Sequence, residues 1–231
     1  MSDTSEKKFC VIVPAYREEG RIGAVVKGIL RHAAHVVVVD DGSPDNTAVE
    51  AEQAGAIVLR HGVNKGKGIA LNTGFDYAQQ NGFEFLITLD ADGQHDPEEI
   101  PRFVETYRRT GTPVLIGNRM DGAGAMPFVR RWTNRYMSWL LSRRMGQRVP
   151  DTQVGYRLYR CDVIPRVPEE SGRFAAESEI LLLLAEKGIT LGAVPIQVIY
   201  RDEKSKINPF KDTVRFYRML HRRRRMSGER P

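Results

Sequence analysis

Cysteine is scarce: Cys10 and Cys161 are the only two in 231 residues, and neither belongs to a C-x-x-C pair. A disulfide framework and a cysteine zinc site are thereby excluded, and a reducing, cytoplasmic setting is expected. None of the five histidines is spaced from a second ligand as a zinc site requires. No apolar run approaches the roughly 18 residues that cross a bilayer, and the start MSDTSEKK lacks the apolar stretch of a signal peptide. The chain is expected neither to span a membrane nor to be secreted by that route. Three common nucleotide- and ester-handling motifs are missing too. Gly62-Val63-Asn64-Lys65-Gly66-Lys67-Gly68 has three residues between its first two glycines and no hydroxyl after Lys67, so it is not a Walker loop. The turn VPAYREEG lacks the glycines that bring a dinucleotide pyrophosphate onto backbone amides. No G-x-S-x-G elbow occurs.

What is present reads as an ordinary globular composition, 41% hydrophobic and 28% charged. One domain is expected over residues 1–222, with a basic tail at 223–231. The net charge of +6 is concentrated: residues 201–231 hold 11 Lys and Arg against four acids, and the remainder holds 24 basic and 25 acidic residues. The body is thus nearly neutral. A second basic stretch, Arg130, Arg131, Arg135, Arg143, Arg144 and Arg148, is interleaved with Trp132, Tyr136, Trp139 and Leu140 and contains no acid. Such patches attract phosphates on lipids, nucleotides or nucleic acid.

The first 120 residues alternate short apolar runs with amphipathic ones, the pattern of βαβ units. Strands are predicted at 9–13, 35–39, 56–60, 83–89 and 113–117, and helices near 20–33, 45–54, 67–80 and 97–110. The strands are apolar throughout, which implies burial on both faces. This predicts an α/β fold, a three-layer α/β/α sandwich around a mostly parallel sheet. Helices near 128–145 and 175–187, a strand near 193–199 and a closing helix at 209–222 follow, with DTQVGYRLY (151–159) between the first two.

Ligands of open α/β sheets lie beyond the carboxyl ends of the strands. Asp90 and Asp92 stand there, immediately after the buried run FLITL. Two hard oxygen donors with room left for phosphate and water suit Mg²⁺ or Mn²⁺. A calcium loop is disfavoured because His95 takes the place of its glycine, and Asp96-Pro97-Glu98-Glu99 reads separately as a helix start. Asp40 and Asp41 end a second strand and must point to opposite sides, one free for a base or ribose and the other for a loop. Ser43-Pro44-Asp45 could equally cap a helix.

VPAYRE, VVDDGSPDNT, NKGKGIALNTGF, LDADGQHDP, IGNR and DTQVGYRLY, in this order, resemble the inverting glycosyltransferases of family 2, which have the GT-A fold. The likeness covers nearly the whole chain and is nearest the dolichol-phosphate mannosyltransferase and polyprenyl-phosphate glycosyltransferase branch. It implies a donor such as GDP-mannose or a UDP-sugar and a polyprenyl or dolichyl phosphate acceptor. Pro14, Tyr16, Glu18 and Asp41 would line the base and ribose, with Asp40, Lys67 and Ala91 as further members of the nucleotide-sugar site. Asp90 and Asp92 would hold the metal, and Gln94 and Arg119 the sugar and diphosphate. Arg201 and Lys206 resemble basic residues that close over the diphosphate. Asp92 and Arg119 would act in catalysis.

An anionic lipid phosphate needs orientation rather than deprotonation; a hydroxyl acceptor would need a base, for which Asp151 is the first candidate and Glu177 or Glu179 the next. Many members of the family carry transmembrane helices after the catalytic domain, whereas this sequence ends at Pro231. A peripheral contact with the cytoplasmic face of a membrane fits Phe128, Trp132, Tyr136, Trp139 and Leu140 at helical spacing among six arginines, with residues 209–225 as a second contact. A soluble glycan or hydroxyl acceptor is the nearer alternative. A nucleic-acid-binding module, suggested by the tail, is opposed by the neutral body and its acidic pair.

Overall fold

The computed structural model describes residues 9–120, 128–168 and 176–197, with the side chains of 128–130 not described. Seven strands form one sheet among these residues: β1 (Phe9–Ala15), β2 (Val36–Asp40), β3 (Ile57–Arg60), β4 (Phe85–Thr88), β5 (Val114–Asn118), β6 (Arg157–Arg160) and β7 (Leu191–Pro195). Their spatial order is β3-β2-β1-β4-β6-β5-β7. All pairings are parallel except those of β6, which runs antiparallel to β4 and β5. The helices are α1 (Ile22–Leu30), α2 (Thr47–Gln53), α3 (Lys67–Gln80), α4 (Ile100–Thr110), α5 (Phe128–Met145) and α6 (Ala176–Glu186).

The valine and isoleucine runs of β1 and β2 are buried end to end, as expected where helices cover both faces. Neighbouring strand residues show the two layers. Phe85 receives Tyr107 of α4, whereas Tyr159, level with Leu86 next door, receives Phe75 of α3. Successive side chains of a strand point to opposite faces, so α4 and α3 lie on opposite sides of the sheet.

Of three local expectations, those for β3 and for the start of α2 need correction, and the helix start at Asp96 is met. β3 is not buried on both faces: Ile57 and Arg60 are exposed and Val58 and Leu59 only partly covered, because β3 is the sheet edge. The helix after Asp96 opens with a 3-10 turn over Pro97–Glu99, Asp96 accepting from the Glu98 amide at 3.0 Å. α2 begins two residues beyond Asp45, whose carboxylate accepts from the Thr47 amide at 3.1 Å. The strand expected at 193–199 is β7, which begins at Leu191 and ends at Pro195, before the described residues 196–197; the helix expected at 209–222 and the tail lie outside the described residues.

The order places a switch point between β1, whose chain leaves toward β2, and β4, whose chain leaves toward β5. The loops after β1, β2 and β4 meet there, and antiparallel β6 brings residues 151–156 to the same edge.

Candidate active site

The β1 and β2 tips are joined by their ladder. Ala15 is level with Asp40, and the Asp41 amide donates to the Ala15 carbonyl at 2.9 Å. The chain after β1 is then stitched onto the start of α2: the amides of Arg17, Glu18 and Gly20 donate to Ser43 Oγ, Thr47 Oγ1 and Glu50 Oε2. Arg17 has φ 57°, a left-handed backbone that costs a non-glycine residue about 1 kcal/mol or more, and its guanidinium lies 5.3 Å from the Tyr16 ring centre. Pro14 and Tyr16 are half-buried at this mouth, and Glu18 is buried with its carboxylate 3.3 Å from Arg21.

Asp40 and Asp41 diverge as strand geometry requires. Asp40 is fully buried; Oδ1 accepts from the Ser43 amide at 3.1 Å, and Oδ2 lies 3.2 Å from Arg60 Nε, close enough to pair but not aligned as a hydrogen bond. Asp41 braces a neighbouring loop: it accepts from the amides of Lys65 at 2.8 Å and Gly66 at 2.7 Å, and from His61 Nδ1 at 2.8 Å. A carboxylate only accepts, so His61 donates from Nδ1; its Nε2 lies 2.9 Å from Thr73 Oγ1, whose hydroxyl donates to the Ile69 carbonyl at 3.1 Å. Gly42, at φ 72°, lets that loop close, since a Cβ there would strike the backbone of Val63 and Asn64.

Asp90 leaves β4 at the switch point with a half-exposed carboxylate. Its Oδ1 accepts from Lys67 Nζ at 2.6 Å and its Oδ2 lies 3.4 Å from His95 Nε2. Lys67 is the first residue of α3, and its ammonium also reaches Glu177 Oε1 of α6 at 2.5 Å. Desolvation works to raise the Asp90 pKa, but the Lys67 ammonium and His95 outweigh it and hold the carboxyl well below the usual range. Lys67 is shifted the other way: burial opposes its charge, and Asp90 and Glu177 together push its pKa above the ordinary lysine value. Gly155 backs the pair, for a Cβ there would fall on the Asp90 carboxylate. Ala91 is buried, and Asp92 Oδ1 accepts from the Gln94 amide at 3.0 Å.

Among the described residues no three His, Cys, Asp or Glu side chains could hold a metal on their own. The Asp90–Asp92 pair on its own could supply only part of a shell of hard oxygens. That donor set fits Mg²⁺ or Mn²⁺, which one or two carboxylates commonly bind together with substrate phosphates.

Arg119, just beyond β5, and Asp151 are brought into contact. Nε donates to Oδ2 at 2.6 Å and Nη2 to Oδ1 at 3.2 Å, both residues are buried, and the Gln153 amide adds a third donor at 3.2 Å. Both carboxylate oxygens of the expected base are thus committed within the protein. Behind them Arg157 is fully buried. It donates to the carbonyls of Val154, Glu177 and Thr152 at 2.8, 2.7 and 2.9 Å and to Tyr159 Oη at 3.2 Å. Thr88 Oγ1 ties the Gly155 carbonyl to β4 at 2.7 Å. Arg201 and Lys206 lie outside the described residues.

The sequence reading anticipated most of the residues at this edge but not their partners. It missed His61, His95 and Arg157, and it did not connect Lys67 to Asp90 and Glu177. Of these, only Lys67 carried a signal, as a cation in a glycine-rich turn entering a helix.

A mostly parallel sheet of this order, with paired acids at its carboxyl edge, is the architecture of GT-A enzymes. Glucosyl-3-phosphoglycerate synthase from Mycobacterium tuberculosis, solved with Mn²⁺, uridine diphosphate and phosphoglyceric acid, superposes with a TM-score of 0.74 at 17% identity, over 94% of this chain and 78% of that one. The glycosyl transferase family 2 model matches residues 10–167, and the chain belongs to that family and is a glycosyltransferase. Its relatives include an undecaprenyl-phosphate mannosyltransferase of Micrococcus luteus, 33% identical over 84% of this chain and 85% of that protein. A UDP-N-acetylglucosamine–dolichyl-phosphate N-acetylglucosaminyltransferase of Methanococcus voltae is 29% identical over 86% of this chain and 88% of its own length.

Proposed function

We propose that the protein transfers a sugar, with inversion, from a nucleoside-diphosphate sugar to a polyprenyl phosphate at a membrane surface. The observation that carries this reading is the Asp90–Asp92 pair at the switch point of the sheet, in a chain whose relatives are named for lipid-phosphate acceptors. Pro14, Tyr16 and Glu18 would face the base and ribose, with Asp40 and Asp41 shaping that pocket through the loops they brace. Asp90 and Asp92 would hold a divalent ion, which neutralises charge building on the departing diphosphate. Ala91 and Gln94 complete that turn, and Arg201 and Lys206 are proposed to close over the diphosphate.

The setting of Asp151 supports an acceptor that needs no base. A hydroxyl acceptor requires a base within hydrogen-bonding reach, whereas Asp151 spends both oxygens on Arg119. A phosphate monoester carries about −1.5 to −2 charges at pH 7 and arrives as its own nucleophile. The Arg119–Asp151 pair then fixes the pocket wall instead of moving a proton.

Membrane contact is supported by α5. Its buried face carries Asn134, Met137, Ser138 and Leu141; its outer face presents Trp132, Tyr136 and Trp139, 62%, 46% and 57% exposed, beside exposed Arg135, Arg143 and Arg144. Aromatic side chains with arginines and no acid match the interface of an anionic leaflet. Phe128 and Arg130, proposed as further contacts, stand in the first turn of α5 with their side chains not described, and residues 209–225, also proposed, lie outside the described residues. No helix among the described residues is long and apolar enough to cross a membrane.

The test offers labelled GDP-mannose, UDP-glucose and UDP-N-acetylglucosamine with Mn²⁺ and undecaprenyl phosphate in anionic vesicles, followed by organic extraction. Label from one donor should enter the organic phase. Label passing only to an aqueous acceptor would replace the lipid phosphate with a soluble one.

A further inference from the structure

Lys67 occupies a position that metal binding has to reckon with. Its ammonium sits between Asp90 Oδ1 and Glu177 Oε1, at 2.6 and 2.5 Å, while His95 Nε2 faces Asp90 Oδ2. Each oxygen of the first metal-site carboxylate therefore already has a protein partner. Asp92 differs: its described partner is the Gln94 amide alone, on Oδ1. A divalent ion placed on Asp90 meets a full positive charge across the same carboxylate, and repulsion at that range in a half-buried site is strong.

Glu177 gives the lysine somewhere to stay. An ammonium has three donors and no acceptor, so Lys67 can keep Glu177, release Asp90 and turn the freed donor toward a phosphate oxygen. A nucleoside diphosphate supplies the negative charge that offsets both cations at once. We propose that Lys67 is the resident counter-cation of Asp90, and that it makes the divalent ion and the donor diphosphate enter together by yielding the carboxylate only when both are present. This rests on the reading of Asp90 and Asp92 as metal ligands. Lys67 is a positioning residue in this scheme, and the coupling it creates is reciprocal: metal tightens nucleotide as nucleotide tightens metal.

The experiment measures Mn²⁺ binding by the electron paramagnetic resonance of the free ion, on the full chain, with and without GDP or UDP. Wild type should bind Mn²⁺ at least about tenfold tighter with one of the nucleotides than alone. Lys67→Met should bind Mn²⁺ alone at least about tenfold tighter than wild type does, and lose most of the nucleotide enhancement. Glu177→Gln, which leaves the whole lysine charge to Asp90, should bind Mn²⁺ alone more weakly than wild type. Unchanged or weaker binding by a folded Lys67→Met, checked by circular dichroism, overturns the proposal. Should that variant not fold, unchanged or tighter binding by Glu177→Gln overturns it. If wild type and both variants ignore Mn²⁺ under every condition, the metal assignment itself fails, a result distinct from a lysine without influence.

Discussion

Asp151→Asn separates a structural carboxylate from a catalytic base. The substitution keeps the side-chain volume and one acceptor oxygen but removes the Asp151 charge from the buried Arg119 guanidinium. Breaking a buried ion pair from one side costs about 3–5 kcal/mol, and the retained acceptor places this case near the lower figure. For a chain of this length each kcal/mol moves the melting point by about 2–4 °C, so Tm should fall by about 6–12 °C. Replacing both partners with apolar residues, Arg119→Met with Asp151→Leu, should recover much of that loss, because no unpaired charge remains. Thermal and urea melts measure the stability, and sugar transfer at a temperature where the variant is folded measures the chemistry. A Tm within about 2 °C of wild type combined with a loss of turnover greater than about a thousandfold would refute the clamp and restore Asp151 as a base.

Gly155→Ala sets a methyl group onto the Asp90 carboxylate; Mn²⁺ affinity and turnover should each fall at least about tenfold while the fold loses only about 1–3 kcal/mol, read by titration and melting. Gly42→Ala combines a left-handed φ of 72° with a clash against Val63 and Asn64. It should destabilise by about 2 kcal/mol or more and loosen the loop that Asp41 braces, weakening nucleotide affinity. Burial raises the pKa of both thiols, Cys161 to about 12, with nearby acids adding to the effect, and Cys10 further still. Since a raised pKa leaves the thiol protonated, neither should react with Ellman's reagent at pH 8 in the native protein, and both should react in guanidinium; rapid native labelling would contradict their burial. Trp132→Ala with Trp139→Ala, both exposed on α5, should reduce sedimentation with anionic vesicles at least about tenfold without lowering Tm.

The parallel half of the sheet was legible because Val36–Val39 and Val11–Val13 are continuous apolar runs, which only a two-sided burial accommodates. That same logic failed for β3, since being an edge is a property of strand order and leaves no mark on four residues. β6 carried no sign of its antiparallel direction, which depends on how the chain returns between β4 and β5. At the site, carboxylates after apolar runs identified themselves. Their partners did not: Lys67 is 23 residues from Asp90, and His61 is 20 from Asp41. Arg157 is the clearest omission. An arginine inside RLY reads as a surface residue, and the carbonyls of Thr152, Val154 and Glu177 converging on it, with Tyr159 Oη, account for its complete burial.

Asp92→Asn, assayed for donor turnover across a Mn²⁺ titration beside wild type, bears most directly on whether the acidic pair and its ion carry the departing diphosphate. The substitution should raise the Mn²⁺ needed for half-maximal rate and lower the saturated rate by about a hundredfold or more. Turnover by Asp92→Asn at the wild-type rate, with the same dependence on Mn²⁺, would contradict that role.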